Sequence, residues 1–310
     1  MKILIVGAGG IGGYYGSKLM LAGADITYLL REKRQAHIEQ HGLVVETPRG
    51  SYTVHPKTVT AEELKPIYDL IILAPKAFDL EDSLQSIAGA SSQGLILPFL
   101  NGLAHIEQLD QRFGRERVLG GIAHIAATIT DTGAVKQLTD LHVLTVGART
   151  PSQEAAAKAF YELCQKTDFN AVYSENIEQA LWDKWTFLST LAGMTTLCNG
   201  SIGEIVATPY GDALTKTMYA QCCAIADAHG FTIAAGVQSK SIEMLTASGS
   251  PMTASMLRDL NAGNKTEHGH ILLEMINKAQ AKQLDCDLIK MAYTHIEIIQ
   301  RRSRLGQRHV

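Results

Sequence analysis

The stretch KILIVGAGGIG, residues 2–12, decides the fold of the first half of the chain. An apolar run typical of a buried strand passes directly into the spacing G-x-G-x-x-G, and the residues that follow can form a helix. Gly7 would allow the tight turn, Gly9 would let a pyrophosphate approach the backbone, and Gly12 would let the helix pack closely on the strand. The N-terminus of such a helix attracts phosphate. The pattern therefore predicts a dinucleotide site that uses Gly7, Gly9, Gly10, Ile11 and Gly12.

The next strand-like run, DITYLL, bears on the choice of dinucleotide, because Arg31 stands directly after it. NAD-binding proteins usually carry an acidic residue about 20 residues beyond the glycines, where it holds the ribose 2′-hydroxyl. A guanidinium instead suits the 2′-phosphate of NADP, by charge and by bidentate geometry. Glu32 could take the NAD role one residue later, but Lys33 and Arg34 make the local charge cationic. We therefore expect NADP (NADPH); an exposed charge at the start of a helix is the alternative for Arg31.

Short apolar runs alternate with helical stretches through the rest of this half. Two of them are continuous, as in strands that are buried in a parallel sheet. The whole pattern predicts a Rossmann-type α/β domain over residues 1–173 that ends in an antiparallel extension. The predicted elements are continuous strands at 69–75 and 94–100, a hairpin at 43–54, strands at 118–130, 133–139 and 142–148, a helix at 153–166 and a strand at 170–174.

Two polar residues follow the continuous apolar runs. Lys76 comes directly after the first run, and Asn101 comes directly after the second. The carboxyl ends of parallel strands line the ligand crevice of such sheets. Lys76 could add positive charge near the nucleotide, and Asn101 could hydrogen-bond the nicotinamide ribose or the substrate. A solvated lysine and a turn-forming Asn-Gly pair at 101–102 are the alternatives on the residues alone.

The second half, residues 174–310, is predicted to be all-α. Strand-like runs stop after Ser174, and apolar residues then recur at helical spacing. Because no low-complexity linker separates the halves, we expect the substrate site at the interface between an α/β domain and an α-helical domain. The predicted helices cover about 175–194, 209–229, 237–247, 253–262, 266–283 and 287–303.

Two ionisable residues of opposite sign are predicted on the apolar faces of these helices. Lys184 shares a face with Leu181, Phe187 and Leu188 by spacing, and Glu267 lies four residues before Ile271. A buried lysine needs a partner or it loses its proton. Beside a nicotinamide, such a lysine could protonate a carbonyl oxygen and stabilise the developing alkoxide. A lysine whose stem covers apolar surface while its amine reaches water is the alternative.

Composition excludes several classes of protein. The chain has 310 residues, a formal net charge of −3 and five scattered cysteines without a C-x-x-C motif. These values predict no nucleic-acid partner and no disulfide framework. No apolar run approaches the ~20 residues that span a bilayer, so we expect no membrane segment and a cytoplasmic protein. His268 and His270 point to different helix faces and make a poor metal pair, and we expect no metal site.

Several motifs together resemble the ketopantoate reductase (2-dehydropantoate 2-reductase) family, in the right order along nearly the whole chain. They are GAGGIGG from Gly7, Arg31, PKAFD around Lys76, NGLAHIEQL from Asn101, AHIAA around His124, ALWDKW around Lys184 and SMLRDLNAGNKTEHGHI from Ser255.

The resemblance implies NADPH-dependent reduction of a 2-keto acid, ketopantoate to pantoate in pantothenate biosynthesis. Lys184 would be the general acid, and Glu267 its partner near the substrate and the ribose. Ser255 would bind the substrate, at its carboxylate end. Asn101 would position substrate and cofactor, and Arg31 and Lys76 would hold the 2′-phosphate. The partner would be a small-molecule carbonyl substrate, and the helical domain could present the face of a homodimer.

One departure puts the substrate in doubt. The family's typical helix has asparagines four and eight residues after the lysine, where this chain has Leu188 and Ala192. We expect the pocket wall there to be apolar, and Ser189, rotated by about 100°, cannot replace the amides. The hypotheses are therefore ketopantoate reduction, reduction of a less polar carbonyl compound by a paralogue, another two-domain dehydrogenase of the β-hydroxyacid or opine type, and a non-catalytic NADP sensor.

Overall fold

The computed structural model describes residues 1–306 and divides the chain into two compact units. Unit 1 comprises Met1–Leu100 and His105–Glu178. Unit 2 comprises Asn101–Ala104 and the chain from Gln179 onward. A four-residue segment from the middle of the first half, which includes Asn101, thus belongs to the helical unit, and no sequence pattern predicted this.

Unit 1 contains ten strands in two sheets. The strands are β1 Lys2–Val6, β2 Asp25–Leu29, β3 Leu43–Thr47, β4 Gly50–Val54, β5 Lys57–Val59, β6 Leu70–Leu73, β7 Leu95–Pro98, β8 Gly120–Ile129, β9 Val135–Gly147 and β10 Asn170–Tyr173. The helices of the first half are α1 Gly10–Leu21, α2 Glu32–His41, α3 Leu80–Ser86, α4 Ala104–Phe113 and α5 Glu154–Cys164.

The first sheet is parallel, with the strand order β5-β2-β1-β6-β7. Val6 at the end of β1 pairs with Leu29 on one side and with Leu73 on the other. The segments that follow these three strands therefore leave the sheet side by side. The Rossmann-type architecture predicted from the alternation of strands and helices is confirmed.

The second sheet has the order β10-β9-β3-β4, and β8 pairs with β9 in antiparallel fashion. The predicted hairpin at 43–54 is confirmed as β3–β4. The prediction of separate strands at 133–139 and 142–148 is wrong, because β9 runs continuously through both. The two residues between them, Asp140 and Leu141, lie at an irregularity in the pairing with β8, where the register shifts between Ile125 and Ala127.

Alternate residues of β1 pack on opposite faces of the first sheet, as its pleat requires. Ile3 and Ile5 join one apolar cluster of unit 1, whereas Leu4 and Val6 join another. A central strand that is buried on both faces explains why the opening run of the sequence is apolar without alternation.

Unit 2 is α-helical, as predicted. From α6 onward the helices are α6 Ile177–Cys198, α7 Ile202–Val206, α8 Gly211–Ala228, α9 Ala235–Leu245, α10 Ser255–Asn261, α11 Glu274–Ala281 and α12 Asp287–Gly306. The short α7 was not predicted. The single helix predicted at 266–283 is a π-helical segment, Gly269–Leu273, that continues into α11. No helix within residues 1–306 has the length and apolarity that crossing a membrane requires.

Candidate active site

The glycine loop, Gly7–Gly12, connects β1 to α1 in unit 1. Gly7 has a φ of +88°, which favours glycine, and its N–H donates to the Leu29 carbonyl at 3.0 Å. A Cβ at Gly12 would lie 2.5 Å from the Gly7 carbonyl oxygen, so this position requires glycine for close packing. A Cβ at Gly9 would meet no protein atom within 4 Å. The space over Gly9 is open, as the approach of a phosphate would require.

The N-terminus of α1 provides backbone donors for an anion. Gly9 caps the helix without a side-chain hydrogen bond, and Gly13 N–H makes a 2.8 Å bond to the Gly9 carbonyl. The N–H groups of a helix's first turn have no partner within the helix, and here these belong to Gly10, Ile11 and Gly12. This geometry suits a pyrophosphate.

The cations after β2 divide into two kinds. Arg31 is 79% exposed, and its guanidinium lies 3.7 Å from the Asp82 carboxylate, a surface pair of little energetic weight. Arg34 is partly buried, and it donates to the carbonyls of Gly133 at 2.7 Å and Ala8 at 3.1 Å. Burial lowers the pKa of Arg34. Arg34 therefore supports the glycine loop, and it is not a free contributor to the cationic cluster that the sequence predicted.

Lys76 lies at the end of the neighbouring strand. It is exposed and directly precedes a short 3₁₀ turn, Ala77–Asp79, that leads into α3. The Arg31 side chain reaches Asp82 on the same helix. The segments after β2 and β6 thus approach each other on the two sides of β1, where the sequence placed a 2′-phosphate site.

In unit 2, Lys184 on α6 meets Asn101, which lies 83 positions earlier. The Lys184 ammonium donates to the Asn101 side-chain oxygen at 3.2 Å. Asn101 precedes Gly102, whose φ of +79° and close approach to the His270 carbonyl both require glycine; a Cβ there would lie 2.3 Å from that oxygen. Two residues that the sequence analysis assigned to substrate and proton transfer are therefore in contact.

Lys184 is partly buried, and desolvation lowers its pKa to about 8, against the charge of Glu267, which raises it. Glu267 is only 6% exposed and directly precedes the helical turn that begins at His268. Its backbone carbonyl accepts hydrogen bonds from the N–H groups of His270 at 3.0 Å and Ile271 at 3.1 Å. A lysine that titrates near neutral pH beside a carboxylate is suited to proton transfer.

Ser255 is the first residue of α10 and is partly buried. The N–H of the preceding Ala254 donates to the Thr195 hydroxyl of α6 at 3.4 Å, so α10 begins about one turn beyond Ala192. Within the described residues, the Ser255 hydroxyl has no hydrogen-bond partner, which leaves it available to a ligand.

The two departures from the family pattern have different environments. Leu188 is partly buried and packs against the core of unit 2, whereas Ala192 is 0% exposed. Of the two residues, only Leu188 therefore keeps exposed surface, and the apolar wall stays a prediction for Leu188.

Three residues around Lys184, Asn101 and Glu267 have contacts that no sequence pattern predicted. Trp185 is buried, and its indole N–H donates to the Ile271 carbonyl at 3.1 Å. The buried Ser189 hydroxyl points to the same oxygen at 3.4 Å. His268 is buried between the Thr266 hydroxyl at 2.7 Å and the Glu297 carboxylate at 3.0 Å. Apolar spacing could place Trp185 in a core, but no sequence signal gives its hydrogen-bond partner.

The described residues contain no group of three or more His, Cys, Asp or Glu side chains arranged to hold a metal ion. His268 is engaged by Thr266 and Glu297, as stated above, and burial lowers the pKa of His270.

A parallel sheet with a glycine loop in one unit, and a desolvated lysine in an all-α unit, accord with the class that the comparisons give, the oxidoreductases. Two family models match the chain, "Ketopantoate reductase PanE/ApbA" over residues 3–151 and "Ketopantoate reductase PanE/ApbA C terminal" over residues 176–300. The chain belongs to the ketopantoate reductase family, whose members bind NAD(P)H and act on CH–OH groups.

A curated relative, an uncharacterized oxidoreductase, YkpB, of Bacillus subtilis, is 31% identical over 96% of this chain and 98% of its own. A solved structure of D-mandelate dehydrogenase with NADH and anilino(oxo)acetate is 22% identical, with a TM-score of 0.86 over 98% of this chain and 100% of that one. A dimeric ketopantoate reductase from Staphylococcus aureus is 20% identical, with a TM-score of 0.80 over 98% and 100%. Both structures share the fold of this chain.

Proposed function

We propose that the chain reduces a 2-keto acid to a 2-hydroxy acid with NADPH, and that Lys184 is its general acid. The observation that carries the proposal is the contact between Lys184 and Asn101 at 3.2 Å, on a lysine whose pKa burial has lowered to about 8. A non-catalytic NADP sensor would need the glycine loop but not this cluster, and a β-hydroxyacid or opine dehydrogenase accords less well with family membership.

The cofactor would be held mainly by backbone. The uncapped start of α1 and the open space over Gly9 fit a pyrophosphate, which Gly7, Gly9, Gly10, Ile11 and Gly12 would surround. Arg31 and Lys76 would bind the 2′-phosphate, and this contact would select NADPH over NADH. When bound, the nicotinamide supplies a hydride to the carbonyl carbon of the substrate.

The protein's own contribution is the proton. The Lys184 ammonium would donate it to the carbonyl oxygen as the hydride reaches the carbon, which yields the hydroxyl group and a neutral amine. Glu267 would favour the charged ammonium, and the Asn101 side-chain oxygen would orient it and position substrate and cofactor. The Ser255 hydroxyl would bind the substrate carboxylate.

Two substrate candidates follow. Family membership favours ketopantoate, the precursor of pantoate in pantothenate biosynthesis. The partly buried Leu188, one turn after Lys184, favours a 2-keto acid with an apolar substituent, because it offers no hydrogen bond to a substrate hydroxyl. The anilino(oxo)acetate in the D-mandelate dehydrogenase structure carries a phenyl ring on the amide of a 2-oxo acid, and this aromatic group supports the second candidate.

The test is a panel of 2-keto acids, from ketopantoate to apolar and aromatic members, with NADPH or NADH oxidation followed by absorbance. We expect turnover with NADPH and a fall in kcat of about 100-fold or more in Lys184→Ala, the usual contribution of a general acid. NADPH binding by fluorescence should be unchanged in that variant. Equal activity of wild type and Lys184→Ala would reject the assignment.

We also propose that the chain forms a homodimer, by analogy with the dimeric Staphylococcus aureus enzyme. Light scattering across a concentration series would reveal a monomer if this is wrong. Cytoplasmic localisation stays a prediction from the sequence.

A further inference from the structure

The π-helical segment Gly269–Leu273 follows Glu267 closely in the chain and contacts the segments that carry Lys184 and Asn101. Its backbone hydrogen bonds span one residue more than those of an α-helix, because the N–H of Glu274 bonds to the carbonyl of Gly269, five positions earlier. π-Helical turns are rare and occur frequently at functional sites. The turn begins two residues after Glu267, so any displacement of this backbone moves that carboxylate.

Two side chains of the helix that carries Lys184 bond to one backbone atom of this segment. The Ile271 carbonyl oxygen accepts the Trp185 indole N–H at 3.1 Å and the Ser189 hydroxyl at 3.4 Å. Both donors lie on α6, one and five residues after Lys184, and both are buried. Buried donors and acceptors are expensive to leave unpaired, so these bonds fix the position of α6 against the π-helical segment.

The loop that carries Asn101 packs closely against the neighbouring carbonyl, that of His270. Gly102 approaches the His270 oxygen so closely that an added Cβ would lie 2.3 Å from it. Asn101, Lys184 and Glu267 therefore each lie within three residues of a contact with one short stretch of backbone, although they are far apart in the sequence.

We propose that the π-helical segment is the common support of the proton-transfer cluster, and that Trp185 and Ser189 are positioning residues that set the separation of Lys184 from Glu267. This proposal rests on the proposed function, in which Lys184 is the acid. Neither residue needs to touch substrate or cofactor, because each acts through the Ile271 carbonyl.

The consequence can be measured on Lys184 itself. Burial lowers the pKa of the ammonium group, and the charge of Glu267 raises it. If the attachment at Ile271 is weakened, Glu267 and Lys184 move apart and the raising effect decreases. The pKa of Lys184 should then fall further, whereas a change that affects only stability leaves it in place.

The experiment compares two tryptophans of the same helix. Trp185→Phe removes the N–H that bonds to Ile271, and Trp182→Phe makes the same change at a buried neighbour without that bond, 5.0 Å away between ring centroids. Ser189→Ala has a matched control in Thr190→Val, which removes a buried hydroxyl that bonds to Thr186 of its own helix and to the Cys222 sulfur of α8, but not to Ile271. The pKa of Lys184 is read by NMR of ¹³C-methylated lysines, assigned with Lys184→Arg.

We expect Trp185→Phe and Ser189→Ala to lower the pKa of Lys184 by about half a unit or more, and the two controls to shift it by less than about 0.2 units. Equal shifts in variants and controls, or no shift in either, would overturn the proposal. If Trp185→Phe does not fold by circular dichroism, the Ser189→Ala and Thr190→Val pair decides. Because the readout needs no turnover, an inactive keto-acid panel would reject the proposed function without deciding this inference.

Discussion

The glycine loop of unit 1 and the lysine cluster of unit 2, made of Asn101, Lys184 and Glu267, are built in opposite ways. The loop occupies six consecutive residues, and its essential features are backbone conformation and the absence of side chains. The cluster takes its three side chains from separate segments, and Asn101 and Lys184 are 83 positions apart. One site depends on local geometry, and the other depends on packing among distant elements.

This difference separates the effects that mutations should have. A substitution in the loop acts through steric overlap, with the neighbouring strand or with a bound phosphate. A substitution in the cluster acts through charge and hydrogen bonding, and so through the pH dependence of the reaction. Matched pairs of variants can test whether the two sites are separable in this way.

The largest effect is expected in the loop. Gly9→Ala should weaken NADPH binding by about 100-fold while the melting temperature stays near that of wild type, because the added methyl meets only open space in the protein and would contact the pyrophosphate. Fluorescence titration and thermal denaturation measure the two quantities. The pKa of Lys184 should be unaffected.

Gly12→Ala is the matched control for Gly9→Ala. Its methyl would lie 2.5 Å from the Gly7 carbonyl, so it should lower the free energy of unfolding as well, by roughly 1–3 kcal/mol for overpacking. If Gly9→Ala and Gly12→Ala lower the free energy of unfolding equally, the added methyl at Gly9 is not accommodated by open space, and this space is not a ligand site.

The next effect concerns pH and the lysine cluster. A general acid must be protonated, and burial lowers the pKa of Lys184 to about 8, so kcat for reduction should be constant below that pH and fall about tenfold per unit above it. Glu267→Gln removes a charge that raises this pKa, so the descending limb should move to lower pH. If Glu267→Gln leaves the descending limb at the same pH, the charge of Glu267 does not influence the pKa of Lys184.

Cofactor choice tests the side-chain part of the nucleotide site. Arg31→Ala should raise the KM for NADPH about tenfold and leave that for NADH nearly unchanged, since the exposed guanidinium would contact only the 2′-phosphate. Arg34→Ala is the comparison. Arg34 donates to the Ala8 carbonyl of the loop, so this variant should weaken the binding of NADPH and NADH alike. Equal effects of Arg31→Ala on the two cofactors would refute the preference for NADP.

The sequence predicted the loop more completely than the cluster, for a physical reason. Glycine spacing after an apolar strand constrains a local backbone, so the roles of Gly7 and Gly12 follow from neighbours in the chain. Helical periodicity could place Lys184 and Glu267 on buried faces, but the contact of Lys184 with Asn101 and the effect of the Glu267 charge on Lys184 depend on tertiary packing. The attachment at Ile271 was not predictable, because it requires a π-helical register that apolar spacing cannot distinguish from an α-helix.

The smallest effect is expected at the substrate wall, where Leu188 and Ala192 replace the family's asparagines. Leu188→Asn should improve kcat/KM for ketopantoate several-fold relative to an apolar 2-keto acid, because it supplies an amide for a substrate hydroxyl. Ala192→Asn should give no such gain and should lower the melting temperature, since Ala192 is fully buried and an amide there would be overpacked. Unchanged selectivity in Leu188→Asn would mean that Leu188 belongs to the core of unit 2 alone, and that substrate choice is set by residues outside α6.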